Sequence, residues 1–298
     1  MNRQRKADMM LVLATGFWGI SNCLVAICLG DMQPLMLNAF RFLSAFLVLG
    51  TIFHKRVLHA SRETLKYSVL VGLSLIAIYV GATYGILYTS VSNAGFIGAM
   101  TVIFTPLFEF VIYHKKPGKK LGFALVLCLI GMAMLTLNEA LRPALGDIIC
   151  LLVPVFYAID LMITERAVAK SEVDPLALGV CQTVVVGVVM LVLSFLLETP
   201  SLPGSPKVWA AALFLGIFCS GICFIIQSVE QQFTTASHAS LIFTLEPVFS
   251  AIFAYFLLSE RLTPRGYLGA ALMLISLFIM ELDLPALRKK DEEAHDDI

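Results

Sequence analysis

Ten stretches of about 18 to 22 residues, nearly free of charge, divide this chain and restrict its fold more than any other feature. They run near 9–29, 35–53, 68–88, 94–113, 120–137, 147–167, 175–197, 208–228, 238–258 and 266–282. At about 1.5 Å per residue, each can cross a hydrocarbon core of about 30 Å as a helix. Composition agrees: 59% of the 298 residues are hydrophobic and 14% charged, with mean hydropathy +0.88, against roughly 45–50% and about 25% in a soluble domain. A soluble globule of this length has no way to hide so much apolar surface. The expected fold class is therefore an all-α polytopic membrane protein with ten transmembrane helices.

Lysine and arginine set the orientation. With the N-terminus in the cytoplasm, 16 of the 21 basic side chains fall inside, Arg142, Lys207, Arg261 and Arg265 fall outside, and Arg41 lies within a span. That bias follows the positive-inside rule and places both termini in the cytoplasm. The basic start MNRQRKAD resembles a signal-peptide n-region, but the apolar run after it is about 20 residues long and no A-x-A-like site follows. The first span is therefore expected to be retained. The acidic DEEAHDD near the C-terminus reads as a solvated tail. All seven cysteines lie in the windows, where a small apolar thiol packs well. Cys219 and Cys223 share a helical face, but two thiols without a nearby His or carboxylate make a poor metal site. No metal, cofactor or nucleic-acid partner is expected.

The chain also repeats itself. S-N-A-G-F-I-G-A-M-T-V-I-F-T-P-L-F from Ser92 parallels S-H-A-S-L-I-F-T-L-E-P-V-F from Ser237: each opens Ser-polar-Ala and reaches Pro-apolar-Phe. Asn93 to Pro106 spans thirteen residues and His238 to Pro247 nine, a difference of about one helical turn. The pair T-G-F-W-G-I-S-N around Trp18 and P-V-F-Y-A-I-D-L around Tyr157 matches more weakly. Spans one to five thus overlay spans six to ten. An odd number of spans per half makes the second half inverted, a recurrent plan for carriers with a midplane site. The halves are expected at 1–139 and 140–284, followed by a charged tail at 285–298.

F-W-G-I-S-N at Phe17 to Asn22, N-A-F-R-F at Asn38 to Phe42, N-A-G-F-I-G from Asn93, and A-S-H-A-S-L-I-F-T-L-E-P-V-F-S-A-I-F-A with S-E-R-L-T-P-R-G-Y-L-G-A-A-L together resemble the EamA family of the drug/metabolite transporter superfamily. The resemblance runs from about residue 8 to 282. It implies two inverted five-helix halves, a central substrate cavity, no ATPase domain and transport of small metabolites. The chain differs in carrying Tyr157-Ala158 where the sixth helix of the family often has Trp-Ala, and an acidic Asp160 beside it.

Ionisable residues within a span are the next guide, since a charge at mid-helix costs about 2.5–3.5 kcal/mol on insertion scales and must face protein or water. Glu246 lies roughly 12 Å, and Asp160 roughly 11 Å, from the cytoplasmic ends of their helices. Two acids at one depth can bind a cationic group or take up a proton. Arg41, roughly 9 Å from the outer end of the second span, is expected first to pair structurally; otherwise it snorkels or binds a substrate carboxylate. Glu109, Glu165 and Glu230 are expected to be solvated near the membrane surface. Trp18 and Tyr157 occupy matching places in the halves, and with Tyr79 can hold an ammonium group by cation–π attraction. Tyr84 also falls within a span. Asn22, Asn93 and His238 can supply hydrogen bonds, although the last two also sit where helix caps belong. Pro106 and Pro247 free a carbonyl one turn back and break their helices. Gly81 and Gly85 suit close helix approach.

The expected function is a secondary-active transporter in the plasma membrane, the inner membrane of a bacterium, acting as a monomer or homodimer. It moves a small polar, amine-bearing metabolite such as an amino acid or organic cation by alternating access. There is no Walker motif or phosphate loop, so energy must come from a gradient, of protons for example, or from exchange. The competing classes are an intramembrane enzyme using Ser220 or Ser237 with His238, which no G-x-S-x-G or H-E-x-x-H motif supports, and a membrane sensor or scaffold.

Overall fold

A computed structural model of the chain describes residues 3–88, 97–114, 118–136, 145–258 and 263–281. Among these residues there is no strand. The first portion comprises α1 (Arg3–Cys28), α2 (Pro34–Ile52), the short α3 (His54–Leu58), α4 (Arg62–Tyr88), α5 (Thr101–Tyr113) and α6 (Lys119–Thr136). The second begins with α7 (Leu145–Cys150), α8 (Leu152–Val168) and α9 (Pro175–Leu197). Next come α10 (Pro206–Phe214), a π-helical segment (Leu215–Ile222) and α11 (Cys223–Glu230), in one uninterrupted run. The chain continues through α12 (Ala236–Phe243), α13 (Glu246–Leu258) and α14 (Pro264–Glu281).

Among the described residues, six helices are long and apolar enough to cross a membrane: Arg3–Val25, Pro34–Ile52, Arg62–Gly85, Leu145–Val168, Pro175–Leu197 and Pro206–Phe233. Ile97–Tyr113 is a shorter apolar helix. The other windows carry α6, α12 with α13, and α14. Proline opens α2, α9 and α10, where its missing N–H costs nothing and its fixed φ suits the first turn. Asp174 caps α9 through the amides of Leu176 and Ala177, Ser205 caps α10, and Thr235 caps α12.

The surface is that of a chain solvated by lipid. Leu47, Phe195, Leu196, Phe256 and Phe278 are each at least 66% exposed, while Arg41, Asp160, Gln182, Gln227 and Gln231 are buried. Helices therefore meet where side chains are small, because lipid supplies no hydrophobic drive between them. α2 lies along α9, α4 along α8, α1 along α13, and α6 along α14. A Cβ on Gly85 would sit 2.3 Å from Cys150 Sγ, and one on Gly81 2.9 Å from Leu152 Cβ; this glycine pair brings α4 onto α7 and α8. Gly19 does the same for α1, where a Cβ would meet Phe249 Cβ at 2.5 Å.

Two windows depart from simple helices. The ninth is cut at Thr244-Leu245, so Glu246 opens α13 rather than sitting within one continuous span. Pro247 has no N–H to offer the Phe243 carbonyl one turn back, which accounts for the cut. Pro106 does not have that effect: α5 runs through it from Thr101 to Tyr113. The eighth window holds the π segment, which no apolar pattern announces.

Candidate functional site

The largest buried cluster joins the first and second portions through aromatic rings. Trp18 of α1 packs its ring 4.9 Å from that of Phe243, 5.8 Å from Phe224 and 6.2 Å from Tyr157. Tyr157 of α8 stacks on Phe243 at 5.9 Å with 10° between planes. On the other side, Phe42 of α2 meets Tyr79 of α4 edge-on at 4.8 Å and Phe224 at 6.0 Å. Six rings from α1, α2, α4, α8, α11 and α12 thus form one connected group. Trp18 and Tyr157, paired in the sequence by the repeat, are in contact.

Arg41 is 3% exposed and does not snorkel. Its guanidinium carbon lies 5.0 Å from the Tyr79 ring centre and 5.5 Å from that of Phe42, and its Nε donates to Ser220 Oγ at 2.8 Å. Among the described residues it forms no ion pair, so the expected acidic partner is replaced by two rings and a hydroxyl; a guanidinium, planar and weakly hydrated, tolerates such a setting.

Ser220 belongs to the π segment, as does Cys219, whose carbonyl accepts the Trp18 indole N–H at 2.8 Å. A π-helical turn takes an extra residue and is often found at functional sites. Glycine lets this one approach α2: a Cβ on Gly216 would lie 2.1 Å from Ser44 Oγ and 2.7 Å from the Arg41 carbonyl, and one on Gly221 2.3 Å from Leu49 Cδ1. The segment therefore holds Trp18 and Arg41 in place from one stretch of backbone.

The two acids share one neighbour, since both act on Tyr157, and differ in the rest. Glu246, half-buried at the first turn of α13, lies within electrostatic range of Tyr79 and Tyr157. Asp160 is fully buried, and its Oδ2 accepts the Gln227 amide N–H at 3.0 Å. Glu246 is not among the groups acting on Asp160. Equal depth along two helices does not put two side chains on facing surfaces. Asn22 lies in α1, with its side chain outside the described residues, and Asn93 is outside them altogether.

His238 is buried 3.4 Å from Asp8 Oδ1, and its backbone N–H goes to Thr235 Oγ1 at 3.2 Å. It borders a cavity of about 480 Å³ lined by Gln4, Gln232, Phe233, Thr234 and Thr235. Around it lies a group that sequence reading placed in solvent. Glu109 is only 6% exposed and accepts the Ser237 hydroxyl, and Glu165 Oε2 accepts the Ala236 N–H at 2.9 Å. The first turn of α12 is thus held by acids of α5 and α8. The free amides of a helix N-terminus attract carboxylates, which accounts for Glu165, while Glu109 is held by the Ser237 hydroxyl. Glu230 remains half-buried.

A similar tie was missed at α2. Glu198, just past α9, accepts the N–H groups of Leu35 and Met36 at 2.9 and 3.0 Å, and the Ser194 hydroxyl at 3.2 Å. Its signal is that Gln33 supplies no side-chain cap before Pro34, so those amides need an acceptor from elsewhere.

A lipid-facing exterior, short small-residue crossings and a ring-lined interior with buried charge define a multi-pass membrane protein. The EamA-like transporter family model matches residues 5–137 and again 144–282, and the chain belongs to that family. An uncharacterized transporter of Archaeoglobus fulgidus is 26% identical over 276 residues, covering 93% of this chain and 86% of the relative. The uncharacterized transporter YoaV of Bacillus subtilis is 23% identical over 290 residues, covering 92% and 96%. A protein of known crystal structure is similar with TM-score 0.79 at 17% identity, over 95% of this chain and 98% of its own. That likeness concerns the fold alone.

Proposed function

We propose that this chain is a secondary carrier that moves a small amine-bearing metabolite, such as a zwitterionic amino acid or an organic cation, by alternating access between two inverted five-helix halves with both termini cytoplasmic. The observation that carries the substrate class is the pairing of opposite charges beside one ring cluster. Arg41 lies over Tyr79, and Glu246 acts on Tyr79 and Tyr157. A carboxylate and rings can together hold an ammonium group, while the guanidinium suits a substrate carboxylate. Two successive matches to one family model and the inside excess of basic residues support the inverted halves and the orientation.

The enzyme reading draws no support from the serines. Ser220 Oγ accepts from Arg41 and Ser237 donates to Glu109, so neither hydroxyl is arranged as a nucleophile on a histidine.

The test is counterflow in proteoliposomes loaded with amino acids, quaternary amines or polyamines in turn. One class is expected to exchange, and Glu246→Gln, with an unchanged elution profile in detergent, is expected to lower the rate at least about tenfold, equivalent to roughly 1.4 kcal/mol. Exchange unaffected by that substitution would remove Glu246 from the substrate site.

A further inference from the structure

Between α8 and α11 lies a polar group that the substrate site does not use. Asp160 and Thr164 are one turn apart on α8, Gln227 lies in α11 and Gln231 one turn on, in the 3-10 turn Gln231–Phe233 that follows it, and all four are no more than 2% exposed. Both glutamines turn their amide nitrogens toward α8: Gln227 Nε2 donates to Asp160 Oδ2 at 3.0 Å, and Gln231 Nε2 to the Leu161 carbonyl at 2.6 Å. One amide donor of each is used, and the carbonyl acceptors are left over. Asp160 Oδ1, Thr164 Oγ1, Gln227 Oε1 and Gln231 Oε1 have no hydrogen-bond partner. No cationic side chain acts on Asp160.

Buried oxygens without donors are costly, and a buried carboxylate without a cation more so. We infer that this cluster binds a monovalent hard cation, sodium, held by the Asp160 carboxylate together with the Thr164 hydroxyl and the carbonyl oxygens of Gln227 and Gln231. The donor set decides among ligands. Among the described residues no group of three His, Cys, Asp or Glu exists for a transition metal. All-oxygen ligands suit alkali and alkaline-earth ions, and a single carboxylate balances one positive charge but leaves a divalent ion under-neutralised in a low dielectric. A proton on Asp160 supplies one donor and leaves at least one amide carbonyl bare. A water has two donors for three acceptor-only oxygens and brings no charge.

The proposal rests on the carrier reading only for what the ion drives, because binding itself requires no substrate. The purified full-length chain, in detergent without substrate, is melted in sodium chloride and in choline chloride at equal ionic strength. Saturating sodium is expected to raise Tm by roughly 2–4 °C, with potassium giving less. Asp160→Asn is expected to abolish the increment. Thr164→Val and Gln231→Leu, milder changes that keep the test valid should Asp160→Asn fail to fold, are expected to weaken the apparent sodium affinity by about tenfold or more. Equal midpoints in sodium and choline would overturn the proposal, as would a midpoint that follows pH but ignores sodium, or a full sodium increment in Thr164→Val and Gln231→Leu. A sodium shift without counterflow would fault the carrier reading alone; counterflow without a sodium shift would fault this site alone.

Discussion

Trp18 shows what a single side chain does here. Its ring fills the centre of the aromatic cluster, and its one donor, the indole N–H, reaches the Cys219 carbonyl at 2.8 Å. Trp18→Phe keeps most of the ring contact and removes the donor, leaving a buried carbonyl short of a partner. A loss of about 1–3 kcal/mol is expected, measured as a lower melting midpoint in detergent. Arg41 is legible in sequence as an isolated cation in an apolar span, whereas its rings and Ser220 are not. Phe42 is its chain neighbour, but Tyr79 and Ser220 come from other helices, and no local pattern encodes that meeting. Glu109 gives the opposite lesson: its place in sequence near Lys115 and Lys116 suggests solvent, yet it is buried on the Ser237 hydroxyl in the first turn of α12.

At the scale of the element, the run from α10 through the π segment to α11 is the least predictable part of the fold. An apolar window specifies a helix but not its winding, and the extra residue per turn is set by what α1 and α2 present to it. Gly216 is the residue on which that contact depends. In Gly216→Ala the new methyl group would press on Ser44 Oγ and on the Arg41 carbonyl, and backbone cannot rotate away as a side chain can. A cost of about 1–3 kcal/mol is expected, read as a lower midpoint, with counterflow reduced because Arg41 and Ser220 move apart. The break before Glu246 was foreseeable in kind, since proline cannot donate. Its position at Thr244-Leu245, and the continuity of α5 through Pro106, were not: both prolines lack the same hydrogen bond, and packing decides whether the helix bends or stops.

For the whole molecule, carboxylates join the two portions at separate places. Asp8 and Glu109, from the first portion, meet His238 and Ser237 of α12, while Glu198 after α9 holds the amides of α2. Glu165 braces α12 from within the second portion. In an alternating-access carrier such ties must open in turn. Glu165→Ala removes the acceptor for the Ala236 amide, at about 0.5–2 kcal/mol, and in the proposed orientation and mechanism is expected to shift the equilibrium toward an open cytoplasmic side. A cysteine placed at Gln232, beside the cavity there, should then react faster with a membrane-impermeant maleimide applied from the cytoplasmic face. An unchanged labelling rate would count against a gating role for this turn.

What the sequence determined by itself was the solvent, the helical class and the family-like duplication. Each follows from averages over windows of about twenty residues, where transfer free energies add along the chain. It also marked Glu246, Asp160 and Arg41 as worth attention, because a charge in lipid must have a reason. Which groups those charges meet was decided only in three dimensions. Asp160 and Glu246 both act on Tyr157 but not on one another, Trp18 and Arg41 converge on one π turn, and Asp160, Thr164, Gln227 and Gln231 each keep a buried oxygen without a partner. Contacts of this kind depend on how helices rotate and cross, which small residues and buried polar groups from distant parts of the chain settle together.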